Sequence, residues 1–170
     1  MELQTGITHD IYPMPAFVTL TVADVRRTMD WYVEALGFVA LFTMPGPDGD
    51  PVLVHLRRWR YQDLLVRPGT PAPAAGAVVS VSALAEELDG IAEQARASVA
   101  SGGAGSVEGP LETPWNTVDL RTTDPDGYRL VFTARRPESH RDAAFERRIT
   151  ELAADQLGGG ARSTEVPSNA

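Results

Sequence analysis

Residues 17–24 read Phe-Val-Thr-Leu-Thr-Val-Ala-Asp, and this stretch, with the helix signals after it, decides the fold. Its first six residues alternate between aliphatic and other side chains, the period of a strand with one face on a core. Asp24 offers a side-chain oxygen that can cap a helix, and Gly37 supplies its end. Between them lies an apolar stripe at helical spacing, formed by Val25, Met29, Tyr32 and Leu36.

The same pattern returns 59 residues later, at the offset that takes Val18 to Ala77. The strand alternation recurs in Ala77, Val79 and Val81. The helical stripe recurs in Leu84, Leu88, Ile91 and Ala95. Because strand and helix share one offset, the sequence predicts an internal repeat.

Each predicted helix is followed by further strand signals. In the first half these are residues 38–43, 51–59 and 62–67, with a Pro- and Gly-rich turn at 45–50. In the second half they are residues 117–121 and 128–133, joined by an Asp-Pro-Asp-Gly turn. Residues 105–111 carry a weaker strand signal. Each half is therefore predicted to be a β-α-β-β-β module.

The expected fold class is α+β, with two βαβββ modules that form half-open barrels of antiparallel or mixed sheet. An apolar stripe that contains Phe145 and Ile149 predicts an additional C-terminal helix. The Gly-rich, polar end predicts a disordered tail. The predicted divisions are an N-terminal extension (1–13), a first module (14–68), a linker (69–76), a second module (77–135), a C-terminal helix (136–157) and a tail (158–170).

The composition is that of a soluble globular protein, with 43% hydrophobic and 22% charged residues in a chain of 170. There is no apolar run long enough for a membrane span and no apolar signal core near the start, so a cytoplasmic protein is expected. The absence of cysteine excludes disulfides and thiolate metal sites. A net charge of −8 argues against a nucleic-acid partner, since phosphate binding needs a concentrated basic surface.

Two segments of the chain resemble signatures of the vicinal oxygen chelate superfamily, which includes glyoxalase I, extradiol dioxygenases, fosfomycin-resistance enzymes and bleomycin-binding proteins. Residues 17–24, with Trp31-Tyr32 and Leu36-Gly37-Phe38, resemble its opening. Pro114-Trp115-Asn116 and residues 124–130 resemble its closing signature. The resemblance covers about residues 14–135 and implies that a concave face of the paired modules holds a ligand.

The resemblance also implies positions for a divalent metal, which family enzymes hold with His, Glu or Gln. The first position falls at Phe17, the second-module counterpart at Gly76 or Ala77, and the last at Val131. The remaining position falls at Leu64 or Asp63. Because a single carboxylate does not retain an ion without partners, the sequence predicts a member of the family with no metal and no other cofactor.

Period-two alternation predicts which side chains face the cavity instead. If Val18, Leu20 and Val22 face the helices, their neighbours face the concave side. The predicted ligand-binding residues, which mix aromatic surface with directional polar groups, are Phe17, Thr19, His55, Arg57, Trp59, Val78, Ser80, Trp115, Asp119, Arg129 and Val131.

Several of these residues have a structural alternative. His55 is either a hydrogen-bonded strand histidine or a weak candidate for a catalytic acid or base. Trp59 and Trp115 are either core or rim residues. The strand arginines, Arg57, Arg121 and Arg129, either pair with Asp63 or Asp119 or clamp a ligand anion.

The leading functional hypothesis is a metal-free binding protein that captures a small, partly aromatic molecule such as an antibiotic or secondary metabolite. The alternative is a lyase, isomerase or epimerase that works without metal or with relocated ligands, with His55 and Asp63 or Asp119 as proton carriers. The acidic total favours a cationic ligand, whereas arginines in the cavity favour an anion. The resemblance implies a homodimer.

Overall fold

The computed structural model describes residues 14, 16–74 and 76–159. In the first module, strand β1 is followed by a short helix α1 that widens into a π-helical turn, where the Phe38 amide donates to the Tyr32 carbonyl. Asp24 caps α1 as predicted, because its side chain accepts from the Arg27 amide at 3.0 Å. The elements are β1 (Phe17–Val22), α1 (Val25–Asp30), the π turn (Trp31–Ala35), β2 (Val39–Pro45), β3 (Pro51–Arg57) and β4 (Asp63–Pro68).

The second module repeats this order. A short 3-10 turn (Ala85–Glu87) precedes helix α2, which runs to Ala100 and so extends five residues beyond the predicted stripe. The weakly predicted strand at 105–111 is present as β6. The elements are β5 (Val79–Ser82), α2 (Leu88–Ala100), β6 (Ser106–Glu112), β7 (Thr117–Thr123) and β8 (Arg129–Arg135).

The C-terminal helix α3 spans Ala143–Gly159, after a 3-10 turn at Glu138–His140. It begins later than position 136 because the Asp142 side chain accepts from the amides of Ala144 and Phe145, which fixes the helix start there. The helix also includes two residues of the predicted tail. Residues 1–13 and 160–170 lie outside the described residues. Within the described part of the chain, no helix has the length and apolar character needed to cross a membrane.

Each module forms one four-stranded mixed sheet. The strand order is β1-β4-β3-β2 in the first and β5-β8-β7-β6 in the second. In both sheets the first strand pairs in parallel with the last, and the other neighbours are antiparallel. The strands β1 and β5 are therefore edge strands of their sheets, and no closed barrel forms. The predicted fold class is confirmed.

A single apolar core lies between the sheets and their helices. It takes Leu20 and Val22 from β1, Val54 and Leu56 from β3, and the side chains that alternate in register on the other strands, including Leu64, Val66, Val81, Leu120, Leu130 and Phe132. The residues between them point to the opposite, concave face, as period-two alternation predicts. Val18 lies opposite the core residue Leu64, on the same face as Leu20 and Val22, but near the start of the edge strand β1 it is 38% exposed.

Polar contacts join the modules, and two groups of them contain an ion pair. The Arg58 guanidinium donates to the Ser82 carbonyl at 2.9 Å and to the Glu87 carboxylate at 2.6 Å. Arg58 is buried there against the rings of Trp59 and Phe132, 4.7 and 5.0 Å from their centroids. Burial lowers the pKa of Arg58, and the contact with Glu87 opposes that shift. The charge is therefore held by its partners across the module boundary.

The second junction joins the β7–β8 turn to the first helix. The Asp126 carboxylate accepts from the Ala23 amide at 3.3 Å and from the Thr28 hydroxyl at 3.2 Å. It also forms an ion pair with Arg27 at 3.4 Å. The turn of one module thus caps and fixes the first helix of the other.

Candidate functional site

A cavity of about 190 Å³ lies where the two edge strands approach each other. One wall is the middle of β1, and the facing wall is the approach to β5 together with the start of β8. The linker passes over the cavity with Ala72, Pro73 and Ala74. The lining is largely aliphatic and comprises Val18, Thr19, Leu20, Ala72, Pro73, Ala74, Ala77, Val78, Val79, Gly127, Tyr128 and Arg129. A site built from both modules and their linker suits a small organic molecule.

Three of the lining residues, Thr19, Tyr128 and Arg129, have polar side chains. The Tyr128 hydroxyl is already engaged, since it donates to the Thr21 carbonyl at 2.8 Å and accepts from the Ala72 amide at 3.2 Å. It therefore ties β1 to the linker and fixes the roof. Thr19 and Arg129 are exposed and are the polar groups left for a ligand.

The turn before Tyr128 holds this side of the cavity in place. The Asp124 side chain accepts from the amides of Asp126 and Tyr128, both at 2.9 Å, and from the Tyr32 hydroxyl at 3.2 Å. Burial raises the pKa of the Asp124 carboxyl, and these hydrogen bonds oppose the rise. Burial and the neighbouring carboxylate raise the pKa of Tyr32 well above its usual range. Tyr32 is therefore a neutral hydrogen-bond donor.

Three of the eleven predicted site residues, Thr19, Val78 and Arg129, meet in this cavity. Three more occupy concave-face positions outside its lining. Phe17 is 48% exposed at the start of β1, Ser80 is exposed on β5, and Val131 is half-buried beside it on β8. For all of these residues, contact with a ligand stays a prediction.

The concave face of the first sheet carries a buried charged cluster that consists of His55, Arg57 and Asp63. One carboxylate oxygen of Asp63 lies 2.7 Å from His55 Nε2 and 2.7 Å from Arg57 Nε. The side chains are 3%, 2% and 0% exposed, respectively. The expected pairing of Arg57 with Asp63 is confirmed, and His55 gains a carboxylate neighbour. None of the three lines the inter-module cavity.

The corresponding face of the second sheet uses hydroxyls instead. The Asp119 carboxylate accepts from Thr117 at 3.0 Å and from Thr133 at 2.8 Å. Arg121 forms an exposed ion pair with Glu108 at 3.3 Å. It therefore does not pair with Asp119, the partner that the sequence suggested, which accepts from the two threonines instead. Asp119 is 8% exposed and is hydrogen-bonded to these two threonines, and its contact with a ligand stays a prediction.

The two predicted tryptophans lie in different surroundings. Trp59 follows the end of β3 and is buried at 5% exposure beneath Arg58, which supports the core alternative. Trp115 is 54% exposed in the loop between β6 and β7. It borders a second, more open hollow of about 330 Å³ against α3, with Phe145 and Ile149 on the opposite side. The neighbouring Asn116 fixes that loop, since its side chain bonds both the amide and the carbonyl of Asp142.

The residues at the family's metal positions do not fit a divalent cation. Phe17 and Val131 offer no donor atom, and Gly76 and Ala77 precede β5 without reaching its face. At the fourth position, Leu64 belongs to the core and Asp63 faces the concave side, where Arg57 already contacts it. Within the described residues, no group of three or more His, Asp or Glu side chains is placed to hold a metal ion.

Alternation within strands could not reveal three of the cavity's parts. The sequence predicts only that Tyr128 belongs to a strand, that the linker joins the modules, and that Val18 faces the helices. All three line the cavity. The signal available in the sequence was the apolar character of the Pro- and Ala-rich linker, which a solvated tether does not need.

Comparison with known families gives one match. A family described as the Glyoxalase/Bleomycin resistance protein/Dioxygenase superfamily matches residues 15–132, which is more than half of the chain. No curated protein sequence matches the chain.

Among solved structures, the chain is similar to TioX from Micromonospora sp. ML1, with 22% identity, a TM-score of 0.52, and coverage of 70% of this chain and 96% of that one. It is also similar to a glyoxalase/bleomycin resistance protein from Albidiferax ferrireducens T118, with 17% identity, a TM-score of 0.54, and coverage of 72% and 99%.

A third similar structure is a mutant of the fosfomycin resistance protein FosX from Listeria monocytogenes, in complex with manganese(II) and a dihydroxypropylphosphonic acid. Its identity is 13%, its TM-score is 0.55, and the match covers 72% of this chain and 90% of that one. At these identities the similarities show the fold alone.

Proposed function

This chain belongs to the glyoxalase/bleomycin resistance protein/dioxygenase superfamily, and from that premise we propose that it captures a small, partly aromatic molecule without a bound metal. The proposed site is the cavity between β1 and β5. Capture requires affinity and no chemistry, and it therefore needs a lining of suitable shape more than a catalytic group.

The observation that carries the proposal is the chemistry of the strand positions at which this superfamily's enzymes bind metal. Phe17 and Val131 present only carbon and hydrogen. The one carboxylate, Asp63, shares an oxygen between His55 and Arg57. A cation placed beside Arg57 would be repelled by the positive charge of the guanidinium.

Metal analysis of the purified full-length protein tests the metal-free part of this proposal. We expect less than about a tenth of an equivalent of any divalent transition metal, and no change in the melting temperature when manganese(II) or zinc(II) is added, because an ion that bound the folded protein would stabilise it. One equivalent of bound metal would overturn the proposal.

The charges of the protein indicate which class of molecule it captures. The similar structures include proteins whose names refer to resistance to bleomycin and fosfomycin, and we propose an antibiotic or secondary metabolite here by analogy. The net charge of −8 favours a cation, whereas Arg129 in the lining favours an anion. The local charge should decide, because surface charges are screened beyond about 8–10 Å.

A thermal-shift screen that includes basic glycopeptides and aromatic acids compares these two classes directly. A ligand present at about a hundred times its dissociation constant adds about 2.7 kcal/mol of stability, which is readily measured. The proposal predicts a rise in melting temperature with at least one aromatic compound. If neither class raises it, capture of a partly aromatic molecule is not the function.

The contact between His55 and Asp63 favours a second candidate, a metal-independent lyase, isomerase or epimerase. A carboxylate 2.7 Å from Nε2 fixes the orientation of the imidazole, which is the arrangement that a general base needs. Any turnover measured on a ligand from the screen should be lost in His55→Gln and kept in His140→Gln, which changes an exposed histidine outside the cavity lining. Turnover that survives His55→Gln removes this candidate.

We also propose that two copies of the chain associate. The edge strand β2 exposes Phe42 and Met44 at 42% and 43% on its concave side, and apolar side chains of this size on a sheet edge favour a covering partner. Sedimentation equilibrium should give a dimer for the full chain. Met44→Lys should shift it toward monomer, whereas Met29→Leu in the first helix should not.

A further inference from the structure

We propose that the cavity between the modules takes a carboxylate with a single ring, with the ring among the aliphatic side chains and the carboxylate on Arg129. This inference rests on the proposed capture function and narrows its ligand to one chemical class. It draws on the volume of the cavity, on the distribution of charge along its lining, and on the pairing of the other arginines that face the concave side.

The volume limits the ligand to about one ring. A closed apolar cavity of about 150 Å³ accommodates benzene. The inter-module cavity, at about 190 Å³, has room for one six-membered ring and a substituent of one or two heavy atoms. A fused bicyclic system or a glycopeptide would have to leave most of its surface outside.

The walls select an apolar body. Val18 and Leu20 line the β1 side, Val78 and Val79 line the β5 side, and Pro73 closes the roof. Val18 and Val78 are 38% and 45% exposed, respectively, which leaves aliphatic surface open to water at the mouth. A ring placed between these side chains would remove apolar surface of both partners from water, and this favours binding.

The charge at the mouth selects an anion. No carboxylate side chain is among the lining residues, all of which belong to the described part of the chain. Arg57 and Arg121 have carboxylate partners in Asp63 and Glu108. By contrast, the Arg129 side chain makes neither an ion pair nor a hydrogen bond within residues 14–159 as far as these are described. A planar guanidinium at an apolar cavity matches a carboxylate, which it can hold with two parallel hydrogen bonds.

Thr19 supplies the second polar contact. Thr19 belongs to the same lining, on the strand that faces the approach to β5, and its hydroxyl can donate to a carboxylate oxygen or accept from a hydroxyl substituent. The Tyr128 hydroxyl is occupied by Thr21 and Ala72 and is not available. The polar groups that remain thus fit one acceptor group on an otherwise apolar molecule.

A titration of the full-length protein with four probes tests this inference. The probes are benzoate, benzyl alcohol, benzylamine and 2-naphthoate. Calorimetry measures the affinity of each probe, and the NMR methyl resonances of Val18 and Val78 report whether it binds in the cavity. We expect benzoate to bind about tenfold or more tightly than benzyl alcohol, and benzylamine to bind more weakly than either, because a charge-assisted pair adds to the same apolar contact. We expect 2-naphthoate to bind at least about tenfold more weakly than benzoate, because its second ring exceeds the space.

Variants of Arg129 test whether its guanidinium causes the preference for benzoate over benzyl alcohol. Arg129→Gln should weaken benzoate binding about tenfold to a hundredfold and leave benzyl alcohol unchanged, whereas Arg129→Lys should keep part of the preference because it retains the charge without the planar fork. Arg67→Gln removes an equal charge from an exposed arginine outside the lining and should change neither. Far-ultraviolet circular dichroism and melting of each variant verify that it is folded.

The outcomes separate this inference from the capture proposal. If benzyl alcohol binds as tightly as benzoate, or if Arg129→Gln has no effect, the cavity captures a ring but not a carboxylate, and this inference is overturned alone. If none of the three monocyclic probes perturbs Val18 or Val78, this cavity is not a capture site for such rings and both proposals fail for it. Equal affinity for 2-naphthoate and benzoate overturns the limit to one ring.

Discussion

The two concave faces of the molecule have the same topology and opposite chemistry. In the first module, Asp63 is fully buried and is paired with a buried arginine and a histidine. In the second module, Asp119 satisfies its charge with two threonine hydroxyls, and the arginine on the same strand points to an exposed glutamate. One face is therefore held by a buried ion pair and the other by neutral hydrogen-bond donors.

This difference explains where the open cavity lies. The charged cluster fills its part of the first face with buried side chains that pair with one another, so that part offers little free surface. The concave-side residues of the edge strands β1 and β5, such as Thr19 and Ser80, are exposed, and the cavity lies between these strands. A duplicated module can thus keep its core and diverge on the face that the core does not need.

Among the substitutions that test this comparison, Asp63→Asn should cause the largest loss of folding free energy. Asp63→Asn keeps the shape and one acceptor oxygen but leaves the buried Arg57 charge without its counter-ion, and removal of one partner of a buried pair costs about 3–5 kcal/mol of folding free energy. Urea unfolding of the full chain measures the loss.

Asp119→Asn is the matched control for Asp63→Asn. The asparagine oxygen can still accept from both threonines, so the loss should stay below about 1 kcal/mol. Equal losses at the two positions would mean that the two faces do not differ as described.

The alternation of residues in the sequence predicts which side of each sheet a residue faces, but it does not predict how deep that residue lies. His55 and Arg57 face the concave side as expected, yet they are only 3% and 2% exposed, respectively. Arg57 lies opposite Asp63 in the β3–β4 hairpin. This pairing depends on the register of the hairpin, which is set by the length of the turn between the strands, and the sequence does not fix that length. The sequence therefore offers this charge pair only as an alternative to a ligand contact of Arg57.

The hydroxyl network of the second face should respond more weakly to substitution. Thr133→Val keeps the side-chain shape and removes one of the two donors to Asp119, and loss of such a hydrogen bond costs about 1 kcal/mol. Thr19→Val, on an exposed strand position of the first face, serves as the control and should change the unfolding free energy by less than about 0.5 kcal/mol. A loss in Thr133→Val as large as that in Asp63→Asn would contradict the distinction between neutral and charged donors.

The β7–β8 turn, which contacts the first helix, should respond to pH. Burial raises the folded-state pKa of Asp124 above its unfolded value of about 3.9. Below that unfolded value both states hold the proton and no penalty applies. As the pH rises through the folded pKa, the buried carboxyl ionises at a cost and stability is lost. Asp124→Asn keeps the acceptor oxygen for the two amides and cannot ionise.

Urea unfolding of the wild type and of Asp124→Asn at several values between about pH 4 and about pH 7 measures this effect. The stability of the variant relative to the wild type should increase with pH across that range. Asp50→Asn, whose side chain is 81% exposed beside Arg26, corrects for the removal of one negative charge from an acidic protein. A relative stability that falls with pH would show that the hydrogen bonds to Asp124 outweigh its burial.

The cavity was the least predictable feature of the molecule. Thr19, Val78 and Arg129 could be identified from strand periodicity, because each lies on or beside a strand with a regular face. The roof could not, since the path of the linker over β1 depends on the contact of the Tyr128 hydroxyl with Thr21 and Ala72. Contacts of this kind join residues far apart in the sequence, and periodicity carries no information about them.

The smallest expected effect is at the exposed arginine of the second face. Arg121 is 47% exposed and its partner Glu108 is 64% exposed, and an ion pair in such surroundings contributes at most about 0.2–1 kcal/mol because water and salt screen it. Arg121→Gln should therefore change the unfolding free energy by less than about 0.5 kcal/mol, and the change should vanish at high salt. Arg57→Gln, on the same face of the first module but 2% exposed, should lose several times more, and salt should not restore it. If the two arginine variants lost equal stability, burial would not be what separates the two faces, and the difference between them would lie in the hydrogen-bond partners alone.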